Sequence, residues 1–322
     1  METSIWVWIL FNLFVLSMLV LDLGLFNRQA HSVTMREAAI WSGVWIALAL
    51  AFNVGILLYA GSEPALAFLS GYLLEKSLAV DNIFVFVVIF GALAVPRAYQ
   101  HRVLFFGVLG ALVMRGLMIA SGSYLIERFD WTFYLFGAFL VFTALRMLRR
   151  EEAEIDAEES RLVRLLRRVV PITDGYRGSR FVLNEGGQRV VTPLLVAVLL
   201  IEGADLIFAL DSIPAIFAVT RDPFLVYSSN IFAILGLRSL YFLLAGVVDR
   251  VHLLKYGLAA VLGFIGVKML LTDLVHVPIG VSLGVIATIL SVSVILSLHG
   301  PLAMRGKSPL GERTHNWREE SP

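Results

Sequence analysis

The chain has 322 residues, of which 58% are hydrophobic and 16% charged, with a formal net charge of +1, and its mean hydropathy is +0.83. Soluble domains are nearer about 45–50% apolar and about 25% charged, so this composition excludes an ordinary soluble domain. The chain has no cysteine, which excludes disulfides, thiolate metal sites and thiol redox chemistry within it.

Apolar segments long enough to cross a bilayer follow one another along the chain. Crossing the hydrocarbon core takes roughly 20 mainly apolar residues in a helix. The first such segment, within METSIWVWILFNLFVLSMLVLDLGLF, is predicted to be a span, since it lacks the basic start and the cleavage site of a signal peptide. We predict an all-α, polytopic transmembrane helical bundle of nine spans, at about 5–26, 38–60, 65–93, 101–125, 131–148, 191–219, 223–247, 254–274 and 277–299.

Lysine and arginine predict the orientation of the bundle, because they collect in cytoplasmic loops. Twenty of them fall in alternate connections and in the C-terminal tail, whereas two, Arg128 and Arg221, fall on the opposite side, and four fall inside spans. The sequence therefore predicts an outer N-terminus and a cytoplasmic C-terminus.

One connection, at 149–190, is much longer than the others. After an acidic run it contains RLVRLLRRVV, a basic amphipathic stretch that is typical of a helix on an anionic membrane surface. FVLNEGGQRVV then predicts a β-hairpin with a glycine-rich turn. We interpret the connection as a cytoplasmic loop, and a regulatory or partner-binding role is the alternative.

Two stretches of the chain match in residue type and order. EKSLAVDNIF at 75–84 parallels DLIFALDSIP at 205–214, and the next spans each carry a central arginine, Arg115 and Arg238. The spans after those also end alike, in TALRML and IGVKML. A unit of three spans that is repeated across a polar linker must cross the membrane in the opposite direction the second time. Inverted repeats with sites near the midplane are the architecture of many secondary transporters.

The repeat divides the chain into five parts. We predict two N-terminal transmembrane helices at 1–64, a first three-helix repeat at 65–148, a cytoplasmic loop with an amphipathic helix and a hairpin at 149–190, a second, inverted three-helix repeat at 191–274, and a last transmembrane helix with a basic cytoplasmic tail at 275–322. None of them contains a nucleotide-binding motif, so an ion gradient would have to drive any transport.

The predicted spans contain charged residues that must be sheltered from lipid. A charge at a helix centre costs about 2.5–3.5 kcal/mol on insertion scales, so these side chains must face one another or water. Five carboxylates against three bases leave an excess of negative charge, which favours a cation or proton site. Ion pairs that only hold helices together are the alternative, and we prefer it for the two arginines. The set is Glu75, Asp81, Glu202, Asp205 and Asp211 with Lys76, Arg115 and Arg238.

Helix geometry separates these acids. Residues six apart on a straight helix point in different directions, so Glu75 and Asp81 cannot share a face, nor can Asp205 and Asp211. Convergence on one ion therefore requires broken helices. We predict that the third and sixth spans are discontinuous near Asp81 and Asp211, with Pro214 as one break.

The available ligands indicate the type of ion. With no cysteine, and with all six histidines in loops or at span ends, zinc, copper and haem sites are disfavoured. Oxygen ligands suit Mg²⁺, Ca²⁺ or Mn²⁺. Asn82 and Ser212, each directly after a motif aspartate, either add neutral oxygens or hydrogen-bond helices together. Asn53 and Asn230 lie in other spans, and we assign them to helix packing.

These segments resemble a known family. GYLLEKSLAVDNIFVF, IEGADLIFALDSIPAIFAVTRDPF, SSNIFAILGLRSLYFLLAG and KYGLAAVLGFIGVKML are similar to the TerC family of integral membrane proteins, of the Alx type, in the lysine-exporter-like superfamily. The resemblance implies a bacterial inner-membrane protein associated with Mn²⁺ export, with tellurite or alkaline-pH resistance, and with metal supply to exported proteins. Carried over by motif, Glu75, Asp81, Glu202, Asp205 and Asp211 would be the acidic residues of the metal pathway.

The leading hypothesis is a secondary transporter, not an enzyme, that exports Mn²⁺ or another hard cation such as Ca²⁺ in exchange for protons. The alternative is a membrane interaction protein that supports metallation or stress resistance without intrinsic flux. A redox modulator is a third hypothesis, which the lack of cysteine and of a cofactor motif disfavours. We expect the lipid bilayer, a divalent cation and protons as partners, with a second copy of the chain or the secretion machinery as a protein partner. We expect no nucleic acid and no prosthetic group.

Overall fold

The computed structural model describes residues 3–24, 34–149, 172–173, 175–185, 188–245, 253–275 and 277–299. Within them the chain forms ten α-helices and one β-hairpin. In chain order these are α1 (Ile5–Gly24), α2 (Met35–Ala60), α3 (Ser62–Ala92), α4 (Arg97–Arg128), α5 (Trp131–Arg149), β1 (Val182–Glu185), β2 (Gln188–Val191), α6 (Pro193–Phe217), α7 (Pro223–Leu235), α8 (Leu237–Leu244), α9 (Leu254–Leu270) and α10 (Ile279–His299). The predicted amphipathic stretch at 161–170 and the tail after 299 lie outside the described residues.

Each of the nine predicted spans contains helix. Among the described residues, five helices are long and apolar enough to cross a membrane: α2, α4, α5, α6 and the Ile279–Ser297 part of α10. The bent pair of α7 and α8 makes a sixth if it is counted as one span. α3 is 31 residues long, but any 18 consecutive residues of it include three charged ones. The fold is therefore that of an all-α membrane protein.

The predicted hairpin is confirmed. Its two strands pair antiparallel, and the segment before them packs against the adjacent ends of α3 and α4. Phe181 contacts Phe106 edge-on, and the hydroxyl of Tyr176 donates to the carbonyl oxygen of Leu93 at 2.5 Å. Burial raises the pKa of Tyr176 to about 12, so this hydroxyl stays a hydrogen-bond donor even at about pH 10, where a free tyrosine is half ionised.

The predicted helix breaks near Asp81 and Asp211 are wrong, because α3 and α6 run through both positions without interruption. Pro214 lies in the last turn of α6, which ends at Phe217. Pro214 removes one backbone hydrogen bond of α6, yet the helix continues through it to Phe217. The break occurs instead at Gly236, where α7 and α8 meet at an angle of 43°.

Gly236 leaves room for a side chain from α3. A Cβ added at this glycine would lie 2.7 Å from Lys76 Nζ, and the same ammonium donates to the carbonyl oxygen of Ala233 at 3.0 Å. Carbonyl groups in the last turn of a helix have no partner within that helix. Lys76 therefore satisfies a carbonyl at the end of α7, and the bend gives a buried lysine a polar contact.

Four helices form the centre of the bundle. α3 packs against α6 and α7, and α4 packs against the same two helices. α1 and α2 cover one side of this group through a cluster of aromatic rings, which contains Phe11, Phe52, Phe68, Phe224 and Phe232. Polar side chains that lie between α3, α4, α6 and α7 are consequently separated from lipid.

α5 and α9 pack closely against each other beside this centre. A Cβ added at Gly266 would lie 2.7 Å from the carbonyl oxygen of Gly137. Small residues at helix interfaces in membranes permit this backbone approach. The two glycines therefore determine how closely these helices approach.

Candidate functional site at the centre of the bundle

A fully buried arginine lies among the four central helices. Arg115, on α4, is 1% exposed. Its guanidinium forms two hydrogen bonds with Asp205 on α6, from Nε to Oδ2 at 3.0 Å and from Nη2 to Oδ1 at 2.6 Å. Nη1 donates to Oε1 of Glu75 on α3. One guanidinium thus bridges Glu75 and Asp205, which we call the carboxylate pair.

Neutral polar groups complete this network. Arg115 Nη1 lies 3.2 Å from Asn230 Oδ1 and 3.4 Å from Ser212 Oγ. The amide of Asn230 also donates to Glu75 Oε2 at 3.2 Å, and the amide of Asn82 donates to an oxygen of Asp205 at 3.4 Å. Each acid of the pair therefore has one cationic and one amide partner, as buried carboxylates require.

A glycine lets α3 and α7 approach each other at this level. Gly71 lies one turn before Glu75, and a Cβ added there would lie 2.7 Å from the hydroxyl oxygen of Ser229 on α7. A larger residue would have to displace the side chain of Ser229. Ser229 directly precedes Asn230, so this glycine helps α7 to bring Asn230 next to Glu75.

Glu202 lies one turn before Asp205 on α6 and packs against Gly110 of α4. A Cβ added at Gly110 would lie 2.5 Å from Glu202 Cδ and 2.6 Å from Oε2, so the glycine provides the space that this carboxyl group occupies. Glu202 Oε1 is buried and has no hydrogen-bond partner among the described residues. Glu202 also interacts electrostatically with Asp205. A third acid therefore lies next to the carboxylate pair, and one of its oxygens has no donor in the described part of the chain.

The two remaining predicted acids lie away from this cluster. Asp211 accepts a hydrogen bond from Thr143 Oγ1 on α5 at 2.9 Å, and Arg146 interacts with it electrostatically. Asp81 is partly buried on α3 and interacts electrostatically with Lys255 at the start of α9. The structure thus brings three of the five predicted acids together and leaves the other two apart.

The described contacts of Lys76 and Arg238 differ from those of Arg115. Lys76 donates to the carbonyl of Ala233, as described above. Arg238, on α8, lines a cavity of about 10 Å³ together with Asp205, which is space for about one water molecule. Of the two arginines in the sequence repeat, the described contacts therefore make only Arg115 a bridge between acids.

The oxygens around the guanidinium are of the kind that hard cations bind. They are both carboxylate oxygens of Asp205, Oε1 of Glu75, Oδ1 of Asn230 and Oγ of Ser212. Hard divalent cations take about six or more such oxygens. Among the described residues, no group of three histidine or acidic side chains is arranged to hold a metal ion. A cation on the pair would therefore depend on the neutral oxygens, and it would have to displace the guanidinium.

Asn230 is the residue of this cluster that the sequence interpretation assigned to packing. It is fully buried and contacts both Arg115 and Glu75. One signal could have identified it: a lone amide in the apolar run NIFAIL, within the span that carries the second repeated arginine. The pattern indicates a polar contact there, but the partner is more than 100 residues away in the sequence.

Apolar helices around a buried charged centre define a multi-pass integral membrane protein. The chain belongs to the TerC family, because the profile described as "Integral membrane protein TerC family" matches residues 60–301. It is 53% identical over 291 residues to an uncharacterized membrane protein of Myxococcus xanthus, covering 90% of this chain and 91% of the relative. It is 51% identical over 296 residues to the protein named membrane-bound redox modulator Alx in both Escherichia coli K12 and Shigella flexneri, covering 89% of this chain and 92% of each relative. No solved structure matches the chain.

Proposed function

We propose that the chain is a secondary transporter, not an enzyme, which exports a hard divalent cation in exchange for protons. The observation that carries this proposal is the carboxylate pair: Glu75 and Asp205 are 2% and 3% exposed at the centre of the bundle. Ionisable residues inside membrane helices are costly to bury, and they commonly mark ion pathways. Mn²⁺ is our first candidate because of the resemblance stated above, and the oxygen ligands suit Ca²⁺ as well.

We also propose nine spans in a bacterial inner membrane, with the N-terminus outside, the C-terminus in the cytoplasm, and α3–α5 repeated in inverted orientation as α6–α9. The packing of the helices supports this repeat. α3 packs against α7 as its counterpart α6 packs against α4, while α5 packs against its own counterpart α9. Two units related by a two-fold axis in the membrane plane contact each other in this reciprocal way.

In this orientation, α3 runs towards the cytoplasm and α6 runs away from it. Asp81 then lies about 9 Å closer to the cytoplasm than Glu75, and Asp211 lies about 9 Å closer to the outside than Asp205, since each helix rises about 1.5 Å per residue. We propose that the cation passes Asp81, the carboxylate pair with Glu202 beside it, and then Asp211. This path uses all five predicted acids in sequence, although they do not converge on one ion.

Flux through the purified protein tests the proposal. In proteoliposomes with a trapped Mn²⁺ indicator, we expect Mn²⁺ flux that responds to an imposed pH gradient. Glu75→Gln and Asp205→Asn should each lower the flux at least about ten-fold, because each removes a charge on which the cation depends. Glu63→Gln is the matched control, since Glu63 is an exposed acid at the start of the same helix α3, and it should keep wild-type flux.

Two outcomes would contradict the proposal. One is unchanged flux in a Glu75→Gln, Asp205→Asn double variant. The other is the absence of flux for Mn²⁺, Ca²⁺ and Mg²⁺ in the wild-type protein, which would favour a membrane interaction protein without intrinsic transport.

A further inference from the structure

Arg115 lies on the same oxygens that a transported cation would need. Its guanidinium contacts both acids of the carboxylate pair, together with Asn230 and Ser212. The heavy-atom distances of 2.6–3.4 Å to Asp205, Asn230 and Ser212 are those of direct contact, so no further ion fits between these groups. A cation and this guanidinium therefore exclude each other from the pair.

A third acid lies next to the carboxylate pair and interacts with Asp205. Glu202 is one turn before Asp205 on α6, about 4.5 Å along the axis, and its buried Oε1 has no hydrogen-bond partner among the described residues. Long side chains on a helix lean towards its N-terminus, and Gly110 lies about 7.5 Å from Arg115 along the axis in that direction, on a neighbouring side of α4. Because Gly110 has no side chain, the carboxyl group of Glu202 occupies the space against α4 at that level, which the guanidinium would reach by a change of rotamer.

We infer that Arg115 is a built-in competitor of the transported cation, whose guanidinium alternates between the carboxylate pair and Glu202. The inference rests on the proposed function and adds what neutralises the pair when the cation leaves it. Two buried carboxylates without a positive charge would be strongly destabilising. The pair is neutralised by the guanidinium in one state and by the cation in the other, when the guanidinium moves to Glu202, so the pair has a positive partner in both states. Arginine suits this role because its planar fork bonds to a carboxylate through two donors and it remains charged when buried.

Binding of Mn²⁺ to the purified protein, followed by equilibrium dialysis, tests the competition. Arg115→Gln should raise the affinity for Mn²⁺ by about 10- to 100-fold, which is the factor expected if the guanidinium occupies the pair in about 90–99% of molecules. Arg238→Gln is the matched control, because it removes the repeated arginine, which also lies beside Asp205. It should change the affinity by much less. An equal gain in both variants would reduce the effect to general electrostatics and overturn the inference.

Glu202→Gln tests the second position of the guanidinium. It should weaken Mn²⁺ binding about ten-fold by removing the acid to which Arg115 moves, with no loss of thermal stability, since Glu202 Oε1 has no described donor to lose. In an Arg115→Gln background the same change should leave the affinity unaltered. Additive losses in the double variant would show that Glu202 binds the cation directly and would overturn its role as the second position.

The tests remain decisive if one variant fails to fold. Should Arg115→Gln not fold, Arg115→Lys keeps the charge but loses the fork, and it should give a smaller gain in affinity. Glu202→Gln then carries the second part of the test. Weaker or unchanged binding by the Arg115 variants overturns the inference while wild-type flux still supports transport. Conversely, tighter binding by Arg115→Gln in a protein without flux would contradict the proposed function alone.

Discussion

The two arginine-bearing spans of the proposed repeat differ in shape and in what their arginines contact. α4 is one continuous helix of 32 residues. Arg115, near its middle, bonds to one acid from each proposed repeat unit, Glu75 and Asp205. The counterpart of α4 is divided at Gly236 into α7 and α8, and Arg238 lies just beyond the bend. The guanidinium of Arg115 bridges two acids, whereas Arg238 lines a small cavity beside Asp205, so matching motifs place the two arginines in different surroundings.

Removal of each arginine should give the largest contrast. Arg115→Ala should lower the free energy of unfolding by about 3–5 kcal/mol, because it leaves a buried carboxylate pair without its positive charge. Arg238→Ala should lower it by less than half as much. Thermal or denaturant unfolding of the purified protein in one detergent measures the difference, and equal losses would contradict the asymmetry between the two spans.

The contact between α5 and α9, the third helices of the two proposed repeat units, should give the next largest loss of stability. Gly266→Ala places a Cβ 2.7 Å from the carbonyl oxygen of Gly137 and 2.9 Å from the backbone nitrogen of Val141. Backbone atoms cannot swing aside, so we expect a loss of about 1–3 kcal/mol. Gly263→Ala, on the same helix with its nearest neighbour at 3.6 Å, is the control and should be near neutral in the same unfolding assay. A similar loss in both variants would mean that the helices are not in close backbone contact.

Tyr176→Phe should lower the free energy of unfolding by less, because it affects only the contact between the segment before the hairpin and the end of α3. It removes the hydrogen bond to the carbonyl of Leu93, worth about 0.5–1.5 kcal/mol. The folded-state pKa is raised from 10.0 to about 12, so the stabilisation is present below pH 10 and is lost as the pH rises towards 12. Unfolding measured at pH 8 and pH 11.5 should show the variant's deficit shrinking, and a deficit that does not depend on pH would contradict this assignment.

The smallest expected effect concerns the bend itself. Gly236→Ala brings a Cβ within 2.7 Å of Lys76 Nζ, the flexible end of a side chain, and within 3.2 Å of Trp45 Cβ. The strain is offset by the better helix propensity of alanine, about 1 kcal/mol, so the net change should stay within about 1 kcal/mol. In a Lys76→Met background the substitution should become stabilising. If it stays unfavourable there, contacts other than Lys76 determine the bend.

Much of the fold could be predicted from the sequence. The nine apolar segments all contain helix, and the alternation in FVLNEGGQRVV gives the observed hairpin, because both signals are local and depend on residues close together in the chain. The helix breaks could not be predicted in the same way. Pro214 is a local signal for a break, but α6 continues through it to Phe217, whereas the bend lies at Gly236, where a lysine from α3 packs.

The candidate site was predictable in kind and only partly in arrangement. The sequence by itself determined that charged side chains occur within apolar helices and that they must meet one another, since lipid cannot solvate them. Which of them meet was decided by the tertiary structure: Arg115 bridges Glu75 and Asp205, Asn230 joins them, and Asp81 and Asp211 stay apart. The physical reason is that straight helices place residues six apart on different faces. Partners are therefore determined by how the four central helices pack.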